Sequence, residues 1–169
     1  MSLPDVLAPD LDVLFCGINP GLLSEARGQH FARPGNRFWP ALHLSGFTPT
    51  RFAPADQDRL LELRLGITNL VDRATAKADE LTAAELRRGG RNLAAKAEEY
   101  RPRVVAVVGI TAYRTAFDRR HATIGPQPER IAGSGLWVLP NPSGLNAHYR
   151  LQDLADVFAE LRSQLAQPA

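Results

Sequence analysis

Four short apolar runs constrain this chain more than any other feature: Leu11–Gly17, Leu65–Val71, Arg103–Gly109 and Gly135–Pro140. None of them alternates apolar with polar residues. A strand that buries one face alternates, whereas a strand covered on both faces is apolar throughout. Segments with helical spacing and polar faces separate the runs. The pattern therefore predicts a short, mainly parallel, four-stranded sheet between two helical layers, the three-layer α/β/α class. A chain of 169 residues with 44% apolar content is large enough for one such domain over residues 1–169.

The clearest helix is the last, where Leu151, Leu154, Phe158, Leu161 and Leu165 recur at steps of three and four. Thr82 with Glu85 reads as a capping box, opening a helix whose polar side carries Arg87, Arg88 and Arg91 and whose middle Gly89-Gly90 should loosen. The third run feeds a helix beginning near Thr111. Gly21–Pro40 shows no clean period and contains Gly28, Pro34, Gly35 and Pro40. It reads as a long loop, and such loops in compact folds usually carry function.

Composition narrows the chemistry. Cys16 is the only cysteine, so this chain alone cannot build a disulfide, an iron–sulfur cluster or a cysteine zinc site. His30, His43, His121 and His148 include no pair at i, i+4, and the expectation is no metal and no cofactor. Gly17 and Gly21 do not complete a dinucleotide fingerprint, and no Walker A lysine follows them. The first ten residues carry Asp5 and Asp10 and lack a basic head followed by an apolar run. No stretch approaches the roughly 20 apolar residues of a membrane span. A cytoplasmic protein without membrane contact is expected. Net charge is only +2, but the basic residues are nearly all arginine, the lysines being Lys77 and Lys96, and the pI of about 9.0 permits phosphate contacts on one face.

In open parallel sheets ligands bind beyond the carboxyl ends of the strands. Two of those ends are chemically unusual. The first run ends in Gly17-Ile18-Asn19-Pro20-Gly21, where the proline biases Asn19 to an extended conformation and its amide can hold a water without taking a proton. A plain turn residue is the alternative. The last run ends in Pro140-Asn141-Pro142-Ser143-Gly144-Leu145-Asn146, a stiff loop with an apolar tip. Leu145 there suits a wedge entering a base stack, or a buried anchor.

These two motifs, together with Phe31, Arg33-Pro34-Gly35-Asn36-Arg37-Phe38-Trp39 and Gly66-Ile67-Thr68-Asn69-Leu70-Val71-Asp72-Arg73, resemble the ordered motifs of the mismatch-specific uracil-DNA glycosylases. That family is related to thymine-DNA glycosylase within the uracil-DNA glycosylase superfamily, and the similarity runs over roughly residues 11–165. The resemblance implies an enzyme that flips uracil out of a G·U mismatch, or thymine or ethenocytosine, and hydrolyses its N-glycosidic bond. Its partner would be double-stranded DNA carrying mismatched or damaged bases, bound by a monomer.

By the same resemblance Asn19 positions the hydrolytic water, Phe31 stacks on the flipped base, and backbone groups at Ile18 and Phe31 line the base pocket with Asn141. Ser143, Gly144 and Asn146 contact DNA and the guanine opposite the lesion, with Leu145 as the wedge. Asp72 supports water activation or, structurally, pairs with Arg73 or caps a helix. The chain departs from the pattern at Asn146-Ala147, where family members often carry Ser-Arg, and at Gly109-Ile110, where many carry Gly-Lys. Without that lysine, phosphate binding would fall to the amides near Thr111 at the start of the next helix. Two other classes use the same features: a non-catalytic mismatch sensor on this fold, and a hydrolase of free nucleosides or nucleotides.

Overall fold

The computed structural model describes residues 3–166. The four apolar runs form the parallel core of a sheet: β1 (Val13–Gly17), β2 (Leu65–Asn69), β3 (Val104–Val108) and β5 (Gly135–Leu139). A further strand, β4 (Gly125–Pro126), joins β5 antiparallel, so the sheet has five strands in the order β2-β1-β3-β5-β4 rather than the expected four. At two residues β4 is too short for any sequence pattern, and its Pro126 suits a sheet edge, where no ladder donor is needed. The opposite edge is closed by the N-terminal segment. Val6 and Ile67 exchange both main-chain hydrogen bonds at 2.9 Å, covering donors and acceptors that would otherwise invite another chain. Gly66 permits that crossing, since a Cβ there would lie 2.4 Å from the Val6 carbonyl oxygen.

Two apolar cores lie on the two faces of the sheet. On one, α2 (Phe38–Leu44) and α5 (Leu151–Leu165) pack Phe38, Leu42, Leu154, Phe158 and Leu161 against Phe15, Ile67 and Leu139. Phe15 meets Phe38 edge-on at 5.4 Å, an arrangement aromatic quadrupoles favour. The other face carries α3 (Ala83–Tyr100) and α4 (Ile110–Ala116), with Leu93, Ala97 and Tyr113 set on Leu14, Val105 and Val107.

The capping box forms as its spacing predicts: Glu85 N–H donates to Thr82 Oγ1 and Thr82 N–H to Glu85 Oε1, each at 3.1 Å. Gly89-Gly90, in contrast, does not loosen α3. Both residues are buried inside a continuous helix, and a Cβ on either would strike backbone, Leu70 O at 2.3 Å and Ala116 O at 2.8 Å. The pair is where α3 comes closest to its neighbours, so the entropic weakness of glycine is offset by tight packing.

Gly21–Pro40 also differs from the expected loop. It contains α1 (Leu22–Arg27), closed by Gly28 in the left-handed conformation, and the first turn of α2, where Pro40 needs no intrahelical donor. Six residues are too few for a period to show.

Candidate active site

The order of the sheet reverses at β1: the chain leaves it for β2 on one side and returns to β3 on the other. A cleft of about 360 Å³ opens at this switch point, above the carboxyl ends of the strands. Ile18, Asn19, Pro20 and Gly21 enter it from β1, Asn69 and Thr75 from β2, Val108 from β3, and Asn141, Ser143 and Leu145 from β5, while Ser24, His30, Phe31, Arg33 and Asn36 close it from the segment after α1.

Asn19 is held by long-range bonds, not by a local turn. Its Nδ2 donates to Arg73 O and to Thr75 Oγ1, each at 2.8 Å, and Thr75 Oγ1 donates onward to Lys77 O at 2.7 Å. Both amide hydrogens are consumed, which fixes the side chain and leaves Oδ1 as a pure acceptor. The loops that make this possible are themselves paired, with Val71 N–H on Ile18 O and Thr75 N–H on Pro20 O.

Phe31 has φ = 52°, a left-handed conformation uncommon for a bulky residue. Its neighbours over-determine it. His30 N–H donates to Gln57 Oε1 at 2.7 Å, Ala32 N–H to Ser24 Oγ at 3.0 Å, and Trp39 Nε1 to His30 O at 3.0 Å. One face of the Phe31 ring stacks on Phe38, with centroids 4.2 Å apart and planes 20° from parallel. A Cβ on Gly17 would meet the ring at 3.3 Å and Asn69 Oδ1 at 2.5 Å, so the end of β1 has room only for glycine. Asn69 itself is 9% exposed and its amide has no side-chain hydrogen bond among the described residues. It offers the cleft one acceptor and two donors.

Around the rim, Arg33 and Lys77 are exposed and take part in no ion pair among the described residues, while Asp79 is the one carboxylate in the lining. Inside, burial lowers the pKa of His30, keeping the imidazole neutral while its Nε2 bonds Pro4 O at 2.7 Å.

Residues 4–165 match the family model of the uracil DNA glycosylase superfamily. The chain belongs to that superfamily. Its fold is also that of the solution structure of a "putative Uracil DNA glycosylase" from Methanosarcina acetivorans, at 19% identity and a TM-score of 0.57, covering 95% of this chain and 97% of that one.

Not every residue expected at a uracil DNA glycosylase site lies in the cleft. Asp72 is exposed and outside the lining, because the chain beyond Val71 turns its backbone, not this carboxylate, toward Asn19. It does not pair with Arg73 either. Arg73 makes two 2.9 Å bonds to Glu85, and these, with the Thr82 N–H, lower the Glu85 carboxyl to about 2. Asn141 lines the cleft, but its Oδ1 accepts from Ser143 N–H at 2.9 Å and so builds the turn. Asn146 is likewise turned inward: Nδ2 donates to Asn141 O and Oδ1 accepts from His148 N–H.

Leu145 is 70% exposed, which removes the buried-anchor reading. It stands between the cleft and a second cavity of about 410 Å³ that holds Gly109, Ile110, Thr111 and His148. Thr111 therefore lies across Leu145 from Asn19. Sequence reasoning gave no role to Asn69, although it stands in the Gly66–Arg73 motif, nor to Thr75, Ser24 or His30, which line the cleft. Asn69, a polar residue closing an apolar strand, was the one with a visible signal.

Proposed function

We propose that this chain is a monofunctional DNA N-glycosylase that extrudes uracil from duplex DNA, prefers G·U mismatches, and hydrolyses the base–sugar bond with a water held by Asn19. The observation that carries this reading is the orientation of Asn19. With both amide hydrogens committed to Arg73 O and Thr75 Oγ1, its Oδ1 is an acceptor of fixed position beside an aromatic wall and an unpartnered amide. A base entering the cleft would stack on Phe31 and meet Asn69 at its polar edge.

As the C1′–N1 bond breaks, its electron pair leaves on uracil N1 and the sugar gains oxocarbenium character. The water oxygen then bonds C1′ and its proton passes to solvent, since an amide takes none. Main-chain donors near Ile18 and Phe31 would stabilise the departing anion; the Phe31 N–H bonds to no group among the described residues. Without a strong base the chemistry is slow, and selectivity comes from extrusion, whose cost of a few kcal/mol is least at a mismatch. Asp72 has no part in this scheme. Thymine and ethenocytosine would fit the same route, with the chain acting as one domain and a monomer on DNA.

The test is release of free base from duplexes containing G·U, A·U and G·T and from single-stranded uracil. Uracil released fastest from G·U, with strands cut only after alkali, is the expected result. Tight mismatch binding with no base released would identify a mismatch sensor, and turnover of free nucleosides a monomer hydrolase.

A further inference from the structure

The loop that bears Leu145 has a support built from another part of the chain. The Arg37 guanidinium reaches three of its carbonyls: Nη2 donates to Ser143 O at 2.6 Å and Asn146 O at 3.1 Å, and Nη1 donates to Tyr149 O. Arg37 N–H adds a fourth bond, to Pro142 O at 2.9 Å. The guanidinium has no carboxylate partner among the described residues, and its Nε is buried and unpaired. A half-buried cation set only on carbonyls of one loop, with its buried Nε donor left over, is costly as a device for stability alone. Beneath it the two segments interlock, since a Cβ on Gly144 would lie 2.7 Å from Gly35 O.

The root of this arrangement is shared with the base-stacking wall. Arg37 stands at the start of α2, and the next residue, Phe38, is fully buried and carries the ring of Phe31 on its face. We propose that Arg37 is the positioning residue of the wedge: it holds the 143–149 turn forward before DNA arrives and ties it to the Phe31 wall, so that filling the stack and gripping the base occur in register. Arginine is required because its two Nη groups fork across carbonyls that the single point of a lysine ammonium does not span. The inference rests on the glycosylase reading for its activity arm only.

The experiment compares wild type, Arg37→Lys, Leu145→Ala and the double variant. Without DNA, amide exchange at Leu145 and Asn146 should quicken about ten-fold in Arg37→Lys, because the turn loses its carbonyl anchor. In single turnover, Arg37→Lys should lower the ratio of duplex G·U to single-stranded rates about ten-fold, but less than about two-fold when Leu145 is already alanine, since nothing is then left to position. Unchanged exchange, or full additivity with Leu145→Ala, overturns the proposal. If Arg37→Lys does not fold, Gly144→Ala, which keeps the guanidinium but forces the segments apart, should quicken exchange at Leu145 and Asn146 by a similar factor, and unchanged exchange there overturns the proposal equally. Should wild type release no base from any substrate, the glycosylase reading falls, while the exchange measurement still decides whether Arg37 holds the turn.

Discussion

The two walls of the cleft are built in opposite ways. The wall formed by Asn19, Asn69 and the Phe31 segment is half-buried or buried; Asn19 is fixed by bonds to residues more than 50 positions away and Phe31 by bonds to both its chain neighbours. The β5 wall presents Leu145 to solvent on a turn closed by its own residues and held only from behind. Water must sit at one point relative to a sugar carbon, and that demands a wall with no freedom. A side chain that fills a gap in a base stack needs apolar surface with no partner in the free protein, and that demands exposure. On the proposed reading, catalytic precision and folding stability are thus coupled on the first wall and separated on the second.

The strongest way to break this contrast is Asn19→Ala. It should reduce single-turnover base release at least about 10²-fold, with duplex affinity within a few-fold, because water positioning is lost and phosphate contacts are not. Equal losses of binding and turnover would show that Asn19 belongs to DNA docking.

A smaller effect is expected on the second wall. Leu145→Ala should slow release from duplex G·U about ten-fold more than from single-stranded uracil, since only the duplex leaves a hole to fill. Its melting temperature should barely move, whereas truncation of a fully buried leucine would cost about 2–5 kcal/mol. Calorimetry beside the rate measurement decides it; a large fall in melting temperature would make the two walls alike.

The smallest effect concerns the support behind the first wall, where Arg73, whose carbonyl holds Asn19, is pinned by Glu85. The Glu85 carboxyl titrates at about 2 in the folded chain, below its ordinary value of 4.5. Its contribution is therefore fully present above that ordinary value and is lost as pH falls through about 2. Melting curves of wild type and Glu85→Gln should differ slightly at neutral pH and converge across that acid window. The pair is exposed, so the gap should be small, and a gap that persists to the lowest pH would assign the effect to the Thr82 cap alone.

What the sequence determined by itself is the parallel core of the sheet and the strand ends above which the cleft opens. Four continuous apolar runs require a sheet buried on both faces, and the Asn-Pro and Pro-Ser-Gly-Leu turns that follow two of them lie where such a sheet opens. These are local signals, readable within a few residues, as are the Thr82–Glu85 cap and the stripe of α5. Tertiary structure decided the rest. Only contact between distant segments turns Asp72 outward and Asn69 inward, makes Gly89-Gly90 a packing surface, and sets Arg37 on carbonyls over 100 positions away. The physical reason is that a backbone preference is set by adjacent residues, whereas the direction and partner of a polar side chain depend on which donors and acceptors burial brings within about 3 Å.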